Sequence, residues 1–252
     1  MPTDHLSESA NAAHFQTEVD DVFGRIASRY DLLSDLFSLG IHRLWKRRVA
    51  QLIAGESWTS LLDAAAGTGD VVLRVARRQN PGPEQTIVAS DISPQMLAIA
   101  RRRAARLGAA LEFRILDAHN MSSIPDASVD LYSISLGLKI CERTQVLREA
   151  LRVLRPGGRF IALEASNIPW GWLHQLYLAY MSLCMPVIGW AATGGDASAY
   201  RYLLRGIQGF PTAEALASEL SDLGFEEVSF ERLSLGIVAI HMARKPWGTA
   251  AP

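Results

Sequence analysis

The stretch LLDAAAGTGD at residues 61–70 decides the fold class. An apolar run leads into two glycines, Gly67 and Gly69, and a helical pattern follows from about residue 69. Glycine permits a positive φ and removes the Cβ that would keep a ligand away from the backbone. The stretch therefore predicts a strand, a ligand-binding turn and a helix. Taken alone, it fits an ordinary strand-to-helix turn equally well.

Short β-rich runs alternate with helical runs around this turn. Strands are predicted at 60–64, 86–90, 111–116, 130–135 and 159–163, and helices at 69–78, 94–107, 143–154 and 212–223. Such alternation predicts a parallel, doubly wound sheet that binds ligands beyond the carboxyl ends of its strands. Two final β-rich segments, 225–232 and 236–243, are too close for a parallel crossover and must form an antiparallel hairpin. This α/β pattern resembles the Rossmann-like sheet of class I methyltransferases.

Composition indicates one domain in a reducing compartment. The 252 residues are 49% hydrophobic, with 25 basic and 26 acidic side chains, so charge gives no reason to expect a nucleic-acid partner. Cys141 and Cys184 are too few for a disulfide framework and lack zinc-binding spacing, so we expect no metal and a cytoplasmic protein. We predict a disordered lead-in at 1–17, which lacks a secretory signal, and a single domain at 18–247. N-terminal helices are predicted at 18–54 and a helical, apolar cap insertion at 165–210.

The apolar insertion could be mistaken for a membrane span, since no charged residue lies between Glu164 and Asp196. Breaking residues, among them Pro169, Gly171 and Pro186, interrupt it, whereas a spanning helix needs about 20 predominantly apolar residues. We therefore expect no span.

The acid at the end of the second strand indicates the cofactor. Asp91 stands where a carboxylate can accept hydrogen bonds from both hydroxyls of a ribose. A dinucleotide would need a third glycine, and Val72 occupies that place. Asp63 and Asp70 add negative charge that suits a sulfonium. These features favour S-adenosylmethionine as the cofactor. Two alternatives stay open: a nicotinamide cofactor, and a non-catalytic protein that binds S-adenosylmethionine.

Two further strand ends complete the predicted cofactor site. Asp117 and Ala118 follow the third strand, where a carboxylate can accept from the adenine amino group, although Asp117 could instead cap a turn. Ser135 ends the fourth strand and is expected beside the methionine part. The predicted cofactor-binding residues are Asp63, Gly67, Thr68, Gly69, Asp91, Asp117, Ala118 and Ser135.

Several uncommon blocks resemble the ubiquinone/menaquinone C-methyltransferases of the UbiE/MenG type. They read FGRIASRYD at 23–31, GIHRLWK at 40–46, GD at 195–196 and AYRYL at 199–203, and the resemblance covers 22–245. It implies a methyltransferase domain with cofactor contacts at Thr68, Asp91, Asp117, Ala118 and Ser135. It also implies an acceptor of the demethylmenaquinol or 2-polyprenyl-6-methoxy-1,4-benzoquinol type, in respiratory quinone biosynthesis.

One segment departs from the family pattern. Where the family usually reads Phe-Gly-Leu-Arg-Asn, this chain has LGLKI at 136–140. Lys139 lacks the planar fork of arginine, and the isoleucine side chain makes no hydrogen bond. The chain could thus be a diverged paralogue that methylates another aromatic or lipid-like molecule.

Methyl transfer to a ring carbon needs a group that removes or orients a hydroxyl proton. Candidates are Asp196, Tyr200, Arg201 and His241, with Lys139 as an oxyanion partner. Asp196 could instead be an N-cap, His241 could face outward, and Lys139 could be a solvated charge.

The uncharged segment predicts an apolar wall for a prenylated quinol and contact with the membrane surface. Its apolar side chains could equally be ordinary helix packing. They are Trp170, Trp172, Leu176, Tyr177, Tyr180, Met181 and Met185. The sequence does not decide between a monomer and a homo-oligomer.

Overall fold

The computed structural model describes residues 30–79, 82, 84–108, 111–193 and 198–248. For residues 30, 188, 189, 191–193 and 198–203 it describes the backbone alone. The predicted lead-in at 1–17 and the first part of the N-terminal helical region lie outside these ranges.

Seven strands form one sheet in the order β3-β2-β1-β4-β5-β7-β6. Strands β1 to β5 pair in parallel, whereas β7 runs antiparallel to both β5 and β6. The predicted α/β class and the C-terminal antiparallel hairpin are confirmed. The strands are β1 Ser60–Ala64, β2 Thr86–Asp91, β3 Glu112–Ile115, β4 Val129–Ser135, β5 Leu154–Ala165, β6 Glu226–Leu233 and β7 Val238–Arg244.

Helices precede the sheet, connect its strands and follow β5. They are α1 Tyr30–Ser38, α2 His42–Ala54, α3 Asp70–Gln79, α4 Pro94–Leu107, α5 Arg143–Val153, α6 Gly171–Thr193, α7 Ser198–Gly209 and α8 Ala213–Asp222. Helix α4 shows how local chemistry sets the bounds, because the Ser93 hydroxyl accepts from the Met96 N–H and Pro94 fills the first turn. Gly108 then ends the helix at φ +63°.

Side chains alternate between the two faces along each strand, and in the central strands both faces are buried. Leu62 and Tyr132 point into one core, where the Tyr132 and Phe160 rings stack with centroids 5.8 Å apart. Leu61 and Leu131 point into the other, which α2 and α3 cover. Helix α2 thereby packs against α3 and over β5.

Strand β5 begins at Leu154, five residues before the predicted start at 159. The sequence at 155–158, RPGG, suggests a turn, and Gly157 does have a φ of +74°. The chain stays extended there because the Gly157 N–H donates to the Lys245 carbonyl at 2.9 Å, and Lys245 N–H returns a bond to Gly158. A long-range pairing therefore overrides the local turn signal.

Helix α6 is continuous over 23 residues, although Pro186 was expected to interrupt it. A proline inside a helix removes one backbone donor and bends the axis, which a packed helix can tolerate. Among the described helices, none is both long and apolar enough to cross a membrane.

Candidate functional site

The glycine turn lies at the carboxyl end of β1, with Gly67 at φ +56° and Gly69 at φ +80°. A Cβ added to Gly69 would lie 3.0 Å from the Ala100 Cβ, so this glycine lets α4 approach the turn. A Cβ added to Gly67 would meet no atom within 4 Å. The space beside Gly67 can therefore receive a ligand. Val72, at the third position of the dinucleotide pattern, is fully buried in the core between α3 and the sheet, where the dinucleotide pattern has a glycine for close packing of helix on strand.

Asp91 ends β2 and its carboxylate joins the two predicted cofactor loops. One oxygen accepts from the Gly67 N–H at 2.8 Å, and the other accepts from the Ser93 N–H at 2.9 Å. Asp91, the residue predicted to bind the ribose, is thus in direct contact with the glycine turn.

Thr68 is buried, and its side chain contacts helix α1, which packs over the turn. Its hydroxyl donates to Asp31 at 2.9 Å. Asp31 also pairs with Arg103 of α4, whose guanidinium reaches the Thr68 carbonyl at 3.4 Å. Neither Asp31 nor Arg103 has a predicted role, and the only sequence signal was the position of Asp31 in the block at 23–31.

Asp63 is buried beneath the turn and accepts from the Ser133 hydroxyl at 2.6 Å. Burial raises its pKa to about 7, although Ser133 and Lys46 oppose the shift. A cation bound nearby would favour the ionised form, as expected for an acid that faces a sulfonium or an ammonium.

Asp70 does not supply the free negative charge that we expected. It lies 3.4 Å from Lys46 and 3.7 Å from Arg74. Burial acts to raise its pKa, but these two cations outweigh burial and lower it. Because its charge is balanced within the protein, Asp70 contributes less to sulfonium recognition than the sequence indicated.

Asp117 caps a turn, which is the alternative that the sequence left open. The carboxylate accepts from the His119 N–H at 2.9 Å and contacts His119 Nδ1 at 2.6 Å. Burial acts to raise its pKa, and the bonds from His119 reverse that effect and lower it. Ala118 lies in the core. The bonds to His119 hold the Asp117 carboxylate at the site. A hydrogen bond from adenine would add to these bonds.

Ser135 ends β4 with a buried hydroxyl that has no hydrogen-bond partner among the described residues. A buried polar atom without a partner is uncommon and requires an explanation. A bound ligand at the strand ends would supply one. Together with the open space at Gly67, this hydroxyl fits S-adenosylmethionine.

Lys139 is not a solvated charge, because its ammonium is buried against Glu164 at 3.2 Å and donates to the Leu136 carbonyl. Glu164 in turn accepts from the Lys139 N–H at 3.0 Å and the Ala165 N–H at 2.8 Å. The pair fixes the turn that follows β4.

His241 does not face outward. It is buried in β7, where Nε2 lies 2.9 Å from the Ala213 carbonyl oxygen and the ring packs on Phe230. Burial lowers its pKa. Of the other candidates, Asp196 lies outside the described residues, and Tyr200 and Arg201 are described only as backbone of α7.

An apolar cavity of about 300 Å³ lies between α1, α2 and α6. Leu136 and Lys139, which follow Ser135, form part of its wall, so the cavity adjoins the predicted cofactor site. Of the predicted apolar wall, Tyr177, Tyr180, Met181 and Met185 line the cavity. The other three, Trp170, Trp172 and Leu176, are exposed instead.

His42 is a polar residue of this cavity that the sequence analysis missed. It begins α2, it is buried, and Nδ1 lies 2.8 Å from the Ser38 hydroxyl. The only sequence signal for His42 was its position in the block at 40–46, and its neighbours become visible only where α1 approaches α2.

Comparison with known proteins agrees with this geometry. The profile of the ubiE/COQ5 methyltransferase family matches residues 11–245. A ubiquinone/menaquinone biosynthesis C-methyltransferase UbiE of Bradyrhizobium diazoefficiens is 40% identical over 231 residues, which cover 90% of each protein. The mitochondrial 2-methoxy-6-polyprenyl-1,4-benzoquinol methylase of Schizosaccharomyces pombe is 38% identical over 241 residues, covering 90% of this chain and 79% of that protein.

A solved structure of a SAM-dependent methyltransferase from Thermotoga maritima matches with a TM-score of 0.61 at 17% identity. The match covers 90% of this chain and 99% of the other. At that identity the likeness shows the shared fold.

Proposed function

Because the chain belongs to the ubiE/COQ5 methyltransferase family and is an S-adenosylmethionine-dependent enzyme, we propose that it methylates a ring carbon of a prenylated quinol. The ring would be of the demethylmenaquinol or 2-polyprenyl-6-methoxy-1,4-benzoquinol type. Such a reaction belongs to respiratory quinone biosynthesis.

The observation that carries this proposal is the apolar cavity beside the end of β4. Its wall continues directly from Ser135, and its volume of about 300 Å³ is at the lower end of the range for small-molecule sites. Its lining is mainly apolar, which suits a ring that carries an isoprenoid tail. A polar acceptor would leave its own groups unsatisfied there.

In the proposed cofactor site each predicted residue meets one part of the cofactor. Gly67, Thr68 and Gly69 shape the turn beside the nucleoside, and Asp91 accepts from the ribose. The adenine would meet Asp117 and Ala118, and the methionine part would meet Asp63 and Ser135. S-adenosylmethionine supplies a methyl carbon on a positively charged sulfur.

The chain's own residues would accelerate the transfer by holding the ring and excluding water. Orientation of two reactants can lower a barrier by about 7–11 kcal/mol. The cavity lining from α1 and α6, including Phe37 and Met181, keeps the ring in an apolar surrounding. Asp196, Tyr200 and Arg201 stay proposed contacts of the acceptor's hydroxyls.

At Lys139, the departure from the family pattern does not by itself require a different acceptor. The Lys139 ammonium is already paired with Glu164, so its charge serves the turn after β4. The exchange of arginine for lysine is thereby accommodated inside the protein.

We also propose that the mouth of the cavity docks on a lipid bilayer. Exposed side chains follow one face of α6 at intervals of three and four residues, a stripe about 27 Å long. They are Trp172, Leu176, Tyr180, Leu183, Val187 and Trp190. On α1, on α2 and in the turn between them, four leucines are exposed as well, namely Leu32, Leu36, Leu39 and Leu44.

A bilayer is the occupant that this surface fits. Leu39 and Tyr180 belong both to the exposed surface and to the cavity lining, so the apolar surface is continuous with the acceptor site. Tryptophans stand near both ends of the stripe, and such side chains favour the membrane interface. A prenylated quinol in the lipid phase could then enter the cavity without crossing water.

The proposal is tested by incubating the purified chain with methyl-labelled S-adenosylmethionine and a panel of short-chain quinols. The panel holds demethylmenaquinol, the methoxybenzoquinol and an unprenylated phenol. We expect labelled product with at least one prenylated quinol and none with the phenol. Product with the phenol alone would support the paralogue reading, and no product with any quinol would refute the quinone assignment.

A further inference from the structure

His42 lies where the apolar cavity meets the helices that cover the cofactor turn. Its side chain lines the apolar cavity and also a second, polar cavity between α2, α3 and α4. Only 4% of the residue is exposed. His42 therefore borders the space that a ring in the apolar cavity would occupy, in a position shielded from bulk water.

Hydrogen bonds assign the tautomer of His42. The Ser38 hydroxyl has a single hydrogen and donates it to the Ser34 carbonyl at 2.6 Å. The Ser38 oxygen must then accept from His42 Nδ1 at 2.8 Å. A neutral imidazole that carries its proton on Nδ1 has a lone pair on Nε2. The network therefore leaves Nε2 able to take up a proton.

The charges around His42 favour the neutral form. Burial lowers its pKa, and Lys46 and Arg43 of its own helix act in the same direction. Asp35 of α1, 3.8 Å away, and Asp70 of α3 oppose this shift but do not cancel it. His42 is thus an uncharged base at neutral pH.

The other ionisable groups described in the cavity wall do not serve as bases. Burial raises the pKa of Tyr177 to about 12, and the pKa of Tyr180 is raised as well. Lys139 is held in its pair with Glu164. Among the described lining residues, His42 alone presents an unprotonated nitrogen.

We propose that His42 is the catalytic base, and that its Nε2 takes the proton of the acceptor's ring hydroxyl. The inference rests on the proposed function. Loss of that proton lets the ring carbon form a bond to the methyl carbon while the carbon–sulfur bond breaks and its electron pair stays on sulfur. The ring carbon then loses its hydrogen as a proton, which restores the aromatic ring. The hydroxyl oxygen recovers a proton from His42, so one proton is released per turnover.

Ser38 is the positioning residue in this arrangement. It touches the ring of His42 and fixes which nitrogen is protonated. Ser38→Ala should lower kcat less than loss of the base does, because the imidazole remains.

The decisive variant is His42→Asn, whose side-chain amide can still donate to Ser38 while Nε2 is gone. We expect kcat to fall about 100-fold, in the range for loss of a general base. The dissociation constant of S-adenosylmethionine should stay within twofold of wild type, and the acid limb of the kcat/KM pH profile should disappear. Added imidazole should restore part of the activity of His42→Ala. His174→Gln, a histidine change outside the cavity lining, should behave as wild type.

A second readout needs no turnover. In the cofactor-free protein, ¹⁵N NMR of the His42 ring at pH 7 should show a protonated Nδ1 and an unprotonated Nε2. A His42→Asn enzyme within threefold of wild type with an unchanged pH profile would overturn the inference, and so would a cationic ring or a protonated Nε2. If the wild-type protein methylates no quinol, the proposed function is wrong. The NMR measurement then still tests whether Nε2 of His42 is unprotonated.

Discussion

The carboxylate of Asp91 accepts two backbone N–H groups, one from the glycine turn and one from the start of α4. It thereby shapes the turn, and we propose that it also accepts hydrogen bonds from the ribose hydroxyls. Asp91→Ala should raise the dissociation constant of S-adenosylmethionine at least tenfold, about 1.4 kcal/mol. Isothermal titration would measure this, with Asp222→Ala, an exposed acid of α8, as the control. Unchanged affinity in Asp91→Ala would refute the ribose role.

Asp63 predicts an unusual dependence of stability on pH. Its pKa is raised from 3.8 to about 7 in the folded protein, so the unfolded chain releases the proton more readily. This acid therefore costs stability increasingly as the pH rises from about 4 to about 7, and the cost levels off above that.

Asp63→Asn removes the charge and keeps an acceptor for Ser133. In the cofactor-free protein it should raise the free energy of unfolding, by about 2–3 kcal/mol more at pH 8 than at pH 5. Urea unfolding at the two pH values would measure the difference. An equal effect at both would show that Asp63 titrates normally.

Sequence spacing predicted Asp63, Asp91 and Ser135 because each stands at a strand end, and parallel strands bring such ends together. His42 and Asp31 could not be found in this way. Their contacts depend on how α1 and α2 pack over the sheet, which no local pattern encodes.

At the scale of elements, the turn after β4 depends on a buried ion pair. Removing one partner of such a pair leaves an uncompensated charge, which costs about 3–5 kcal/mol. Glu164→Gln should destabilise the protein by about that amount in urea unfolding. Combining it with Lys139→Met should recover most of the loss. Glu112→Gln, which breaks the exposed pair with Arg114, should cost under about 1 kcal/mol. A double variant as unstable as Glu164→Gln would contradict this account.

Helix α6 has two apolar faces, one toward the cavity and one exposed. Trp172 and Trp190 are 73% and 61% exposed, so replacing both by serine should leave the melting temperature unchanged. Binding to vesicles of neutral phospholipid should weaken at least tenfold, because each tryptophan would bury a large apolar surface in the interface.

Trp247→Ser is the matched control for this measurement. Trp247 is also exposed, but it packs beside Gly157 near the amino end of β5, away from the cavity. Equal vesicle binding by all three proteins would exclude the proposed surface. A change in sedimentation instead of vesicle binding would make the stripe an interface between copies of this chain.

The sequence predicted which segments are helices and strands better than it predicted where each one begins and ends. The alternation of strands and helices follows from hydrophobic periodicity, and helix α4 matches its predicted range because Ser93 and Gly108 cap it locally. The early start of β5 and the continuity of α6 through Pro186 depend on partners far along the chain. Local propensity therefore gave the wrong boundaries there.

For the whole molecule, the site joins groups from the N-terminal helices, the sheet and the segment after β5. The cofactor turn and the apolar cavity meet at the end of β4, where Ser135 and Leu136 are consecutive residues. We propose that the nucleoside and the quinol ring approach each other at this point. A transferase with separated sites could not align a ring carbon with a methyl group.

A crystal structure with S-adenosylhomocysteine and a short-chain demethylmenaquinol tests this claim most directly. We predict the adenosine beside Gly67, its ribose hydroxyls within hydrogen-bond distance of Asp91, and the quinol ring in the cavity between α1 and α6. A nucleoside bound elsewhere, or a quinol outside that cavity while its walls stay closed, would contradict the account.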